Sequence, residues 1–96
     1  MLHNRSINIF IFIFMKKIRR FTGDQIRINA FMTLLPRIKN FQEFTTQYDE
    51  PGIYLEMNDN YDIAIIYKSD SARNHAFDEF KEESENFLNY VKEKMR

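Results

Sequence analysis

The side chains that most often carry chemistry are sparse in this chain. There are two histidines, His3 and His75, at opposite ends of the sequence, and no cysteine. Without cysteine there is no thiolate nucleophile, no cysteine zinc site and no disulfide framework. No His/Cys/Asp cluster has zinc-ligand spacing. Two isolated glycines, Gly23 and Gly52, cannot build a phosphate-cradling loop, and nucleophile-elbow and kinase signatures are absent. His75 reads as a surface or half-buried residue on the first turns of the last helical segment. The expectation is therefore no catalytic residue, no metal site and no cofactor.

Two sets of residues come nearer to a ligand-binding pattern. Glu56, Asn58, Asp59, Asn60 and Asp62 have the oxygen-rich alternation of a calcium loop. They lack the glycine and the distant bidentate glutamate that make such a loop work, so the set reads as a hairpin tip. The second set is basic: Lys16, Lys17, Arg19 and Arg20, followed by Arg27, Arg37 and Lys39. Clustered Lys and Arg are what phosphate neutralisation requires. No helix-turn-helix, aromatic RNA-reading motif or zinc finger accompanies them.

The net charge of zero hides an asymmetry. Residues 1–42 carry eight basic side chains against the single acid Asp24, whereas residues 43–96 carry six basic and thirteen acidic ones. Such a split either marks a nucleic-acid or membrane surface or brings the two halves together, within one chain or across a dimer. The second arrangement is the favoured expectation.

The elements that must position these residues follow from periodicity. Ile7–Phe14 is the most hydrophobic run, and eight residues are far short of the roughly 20 a membrane span needs. Its β-branched and aromatic content favours a strand. A rival reading takes Met15-Lys16-Lys17 as the natural start and residues 1–14 as an extension, in which case function survives their deletion. From Asp24 to Phe44 the apolar residues Ile28, Phe31, Leu35, Ile38 and Phe41 recur at helical spacing, with a kink or two short helices expected at Pro36. Glu50-Pro51-Gly52-Ile53 fits a type II turn. Beyond it, Ile53–Met57 and Tyr61–Tyr67 read as a hairpin. A three-residue loop at 58–60, with Asn60 left-handed, opposes Met57 to Tyr61, Leu55 to Ile63 and Ile53 to Ile65, all on one face. That register also sets Glu56 against Asp62, a repulsion that invites a cation or a basic partner. Phe44, Thr46 and Tyr48 have the parity to add a third strand. Ser69 or Ser71 caps a last helix to about Met95, with Phe77, Phe80, Phe87, Leu88 and Val91 on one stripe. Its early acids and late Lys92, Lys94 and Arg96 complement the helix dipole.

The fold class expected is α+β. It comprises an N-terminal helical region kinked at Pro36, an antiparallel hairpin or three-stranded meander, and a long C-terminal helix packed on the sheet. Residues 1–14 stand as a hydrophobic N-terminal segment, and residues 15–96 as one domain. Half of the chain is Ile, Phe, Asn, Lys, Tyr and Met, all with AT-rich codons, the mark of a low-GC genome and in keeping with a bacterial or phage accessory gene. The functional expectation is a cytoplasmic, non-enzymatic binding protein, a small regulator or inhibitor that acts by protein–protein interaction and forms a homodimer. The alternative is a nucleic-acid binder using Lys16, Lys17, Arg19, Arg20, Arg27, Arg37 and Lys39.

Overall fold

The computed structural model describes residues 16–95, so the expectations for Ile7–Phe14 lie outside the described residues. The chain runs through β1 (Lys17–Thr22), α1 (Ile28–Leu34), a 3-10 turn (Leu35–Arg37), β2 (Ile38–Thr45), β3 (Pro51–Met57), β4 (Tyr61–Ile66) and α2 (Asp70–Lys94). The strands form one sheet in the order β1-β4-β3-β2. β2, β3 and β4 are an antiparallel meander, and β1 pairs in parallel with β4. This is the expected α+β fold with a long C-terminal helix on the sheet. The parallel outer strand was not expected and makes the sheet mixed.

The β3–β4 hairpin has the register anticipated from side-chain parity: Leu55 faces Ile63 and Ile53 faces Ile65. Opposed residues share a face, so Ile53, Leu55, Met57, Ile63 and Ile65 form one buried layer. The helices cover that layer. Phe31 from α1 stacks on Phe80 from α2 with centroids 3.9 Å apart and planes 4° from parallel, while Phe41 from β2 meets both rings edge-on. Ile26, Leu35 and Tyr67 complete the core. The Ser69 hydroxyl accepts from the Ala72 N–H at 3.1 Å and so caps α2.

Three local expectations are corrected. The helical pattern continues past Pro36 in sequence but not in space, because residues 38–45 are strand β2. A bulge between Ile38 and Asn40 inserts Lys39 as an unpaired residue, so Ile38 opposes Met57 and Phe41 opposes Leu55. One extra residue reverses side-chain parity. An i, i+3 spacing thereby lands on one face of a strand, as it would on a helix. The turn before β3 lies at Thr46–Glu50, earlier than the Pro-Gly pair. There the Thr46 N–H donates to the Glu50 carbonyl at 2.9 Å, and Asp49 adopts φ 62°. Pro51 instead opens β3, where its missing donor is tolerated. Gly52 has no positive φ and lies under the Phe44 ring, into which a Cβ would project. Asn60 is not left-handed either: among the described residues Asp49 alone of the non-glycines has positive φ.

The apolar stripe of α2 is buried unevenly. Phe80 is 1% exposed, whereas Leu88 is 54% exposed. Phe77 and Phe87 are partly buried against the core. Thermal or denaturant unfolding is expected to show a loss of about 3–5 kcal/mol for Phe80→Ala and a clearly smaller one for Phe87→Ala. Equal losses would mean that the stripe is anchored along its whole length.

Candidate binding surfaces

Two sites can be built from the fold, one on β1, which with β2 forms an edge of the sheet, and one where β1 and β4 end. The basic residues come first. Lys16 precedes β1, and its ammonium lies 2.7 Å from Asp62 Oδ1 and donates to the Met57 carbonyl at 2.7 Å. Asp62 also accepts from the Met57 N–H at 2.9 Å and from the Tyr54 hydroxyl at 2.7 Å. The basic partner invited by the facing carboxylates of the hairpin is thus supplied by the chain itself. Arg20 meets Glu50 at 2.9 Å, Arg37 meets Asp59 at 2.7 Å, Arg27 meets Asp24 at 3.4 Å, and Lys39 approaches Glu56 at 3.8 Å.

Four of these pairs join the basic half to the acidic half. Lys17 and Arg19 have no carboxylate partner among the described residues, and Arg19 lies over the rings of Phe21 and Tyr61. The seven basic residues therefore do not form one surface. Lys16 is enclosed, Arg37 and Lys39 flank the β3–β4 turn, Lys17, Arg19 and Arg20 line β1, and Arg27 stands just before α1 beside Asp24. In the sheet β1 has a neighbour on its β4 side alone among the described residues. Its register with β4 runs from Lys17 to Thr22 without a bulge. A free strand edge is a template for a further strand, and charges along it, here Lys17, Arg19 and Arg20, select against partners that do not neutralise them.

The second site is a cavity of about 280 Å³ lined by Gly23, Ile26, Arg27, Ile28, Tyr67, Ala76, Glu79 and Phe80. Gly23 follows β1 and Tyr67 follows β4, so the cavity sits at the carboxyl ends of the two parallel strands. A Cβ on Gly23 would fall 2.6 Å from two ring carbons of Tyr67, so only glycine admits the ring there. Tyr67 is 8% exposed, and its hydroxyl finds no hydrogen-bond partner among the protein groups. Burial, and secondarily the charge of Glu79, push that hydroxyl up to about 12. It therefore keeps its proton throughout the physiological range. His75 places Nε2 3.9 Å from Glu79. Among the described residues no group of three His, Cys, Asp or Glu could hold a metal ion.

Sequence reading missed Tyr67, Tyr54 and the enclosed role of Asp62. One signal was available: Asp62 stands within the apolar run of β4, a position where a charge must be paired.

Burial alone would push the Asp62 carboxyl up, but the Lys16 ammonium, the Met57 N–H and the Tyr54 hydroxyl hold it below the usual carboxylate range. A carboxyl lowered in the folded state contributes stability that is fully present above its unfolded value, about 3.9. That contribution is lost as pH falls through the lowered folded value. Denaturant unfolding from about pH 6 to about pH 2 is expected to show an acid limb that Asp62→Asn flattens, with lower stability of the variant at neutral pH. An unchanged limb would remove this ion pair from the acid response.

Partly buried Tyr54 and buried Tyr67 are expected to differ in sign. Tyr54→Phe strips a donor from buried Asp62 and costs about 1–3 kcal/mol. Tyr67→Phe removes an unmatched hydroxyl and holds or raises the melting temperature. A loss at Tyr67 equal to that at Tyr54 would show that its hydroxyl is satisfied in the free protein.

No family model, curated protein or solved structure matches this chain.

Proposed function

We propose that the chain is a binding protein without chemistry of its own, which docks on another protein by adding a strand of that partner to β1. The observation that carries this reading is the β1 edge, unpaired among the described residues and continuous in register from Lys17 to Thr22, with Lys17 and Arg19 left without a carboxylate partner there. Backbone groups along such an edge give affinity, and alternate side chains give selectivity. With Lys17, Arg19 and Arg20 along it, the partner that fits is an extended acidic segment. A second copy of β1 does not fit, because pairing the edge with itself would oppose like charges. The same cations could face phosphates, but Lys16, Arg37 and Lys39, which the nucleic-acid reading also needs, are engaged by Asp62, Asp59 and Glu56.

The test is capture from the source cell by the full chain, with nuclease treatment and the double variant Lys17→Glu/Arg19→Glu. Capture of one protein is expected to survive nuclease and to be lost in the double variant, whose melting temperature stays within a few degrees because exposed charges add little stability. On binding, the amides of β1 are expected to gain protection from exchange. Capture abolished by nuclease, with affinity falling by a log–log salt slope of roughly 0.7–0.9 per phosphate contacted, would instead establish nucleic-acid binding.

A further inference from the structure

We propose that the C-terminal half of α2 is a dimer interface, on which a second copy of the chain docks by antiparallel helix pairing. This surface is separate from the β1 edge and does not depend on it.

The helix outruns what it covers. α2 has 25 residues, which at 1.5 Å per residue is a rod of about 37 Å. Phe80 is sealed in the core and Phe87 is partly buried against it, but among the described residues no α2 side chain beyond Phe87 packs there. The apolar stripe nevertheless continues. Leu88 and Val91 follow Phe87 at helical spacing, and Met95 follows Val91 by one turn. Six large apolar side chains are exposed among the described residues, and Leu88, Tyr90 and Met95 bring three of them onto this short stretch. A contiguous apolar stripe without a neighbour marks a surface for another chain.

Charge selects which chain. Glu83, Glu85, Lys92 and Lys94 take no part in an ion pair among the described residues. Glu85 precedes Lys92 by seven positions and Glu83 precedes Lys94 by eleven. At 3.6 residues per turn each pair lies within about 20° around the helix, one pair on either side of the stripe. Along the helix the partners of each pair stand roughly 10 and 16 Å apart, too far to meet within one chain.

A two-fold axis crossing the stripe between Leu88 and Asn89 brings them together. That point is midway between Glu83 and Lys94, and it is also midway between Glu85 and Lys92. One axis therefore sets Glu83 beside the partner's Lys94 and Glu85 beside the partner's Lys92, and symmetry repeats both pairs. A parallel pair would set each of these charges against its own copy, which repels. The axis also leaves room for both bodies. Phe87, the last α2 residue packed on the core, comes level with the partner's Tyr90, so the two cores lie on opposite sides of the axis.

The experiment is sedimentation equilibrium of the full chain over a concentration series, since a self-association follows mass action. The mass is expected to rise from 11.7 kDa in dilute solution toward twice that value. Leu88→Ser and the double variant Glu83→Lys/Glu85→Lys should each weaken the dimer by about tenfold or more, without lowering the melting temperature of the dilute chain. Adding Lys92→Glu/Lys94→Glu to that double variant should restore the dimer, because the antiparallel pairs are then re-formed with their signs exchanged. Lys17→Glu/Arg19→Glu should leave the dimer intact, so this interface and the β1 edge can fail separately. A mass of 11.7 kDa at about 1 mM, where even a weak dimer of millimolar Kd is populated, would overturn the proposal. So would a dimer indifferent to Leu88→Ser or to the charge reversal, or a reversal that the fourfold exchange does not rescue.

Discussion

The register of the β3–β4 hairpin is the constraint on which the other elements rest. Because Leu55 faces Ile63 and Ile53 faces Ile65, one side of the central strands is wholly apolar and must be covered. α1 and α2 do so through the stacked pair Phe31 and Phe80. A slip of one residue would send every side chain of one strand to the opposite face and bring Asp62 into the core. The same register turns Tyr54, Asp62 and Ala64 to the other side. There small residues and aromatic rings make a second, thinner layer, with the Phe44 ring over Gly52 and edge-on to Tyr54.

Electrostatics ties the chain's halves together across this frame. The basic first half and the acidic second half meet at four places, and the most enclosed is Lys16 with Asp62. An enclosed pair gains little over an apolar one but is costly to break on one side. Its effect is therefore specific as well as stabilising: Asp62 binds the start of β1 and the end of β3 at once, through Lys16 and the Met57 N–H. The exposed pairs at Arg20 and Arg27 contribute little to stability. They do limit which cations are left to meet another molecule.

Much of the fold was legible in the sequence because its strongest signals are local. The hairpin register followed from side-chain parity and loop length, and the last helix from its cap and stripe. Residues 38–45 misled because a bulge gives a strand the spacing of a helix, and a bulge is a property of the pairing with β3 and not of β2 itself. The turn misled because Pro51 and Gly52 suit a type II turn in isolation, while Thr46 bonded to Glu50 makes a tighter connection nearby. β1 was hidden for a related reason. Lys17, Arg19 and Arg20 look like a solvated charge cluster until β4 is in place to pair with them. The site around Tyr67 joins residues from three separate segments, and no spacing along the chain announces it.

The parallel pairing of β1 with β4 also bears on the order in which the molecule assembles. Joining Lys17 to Tyr61 closes a loop that contains α1, β2 and β3, whereas each pairing within the meander closes a short one. The entropy of closing a loop grows with its length, and contacts distant in sequence are slow to form. The meander and α2 can therefore collapse around the phenylalanine stack before β1 arrives. Opening in the folded state follows the reverse course, since the elements with the fewest buried contacts are released first. β1 is exposed along most of its length, so it can open locally while the buried layer of β3 and β4 stays covered by the helices.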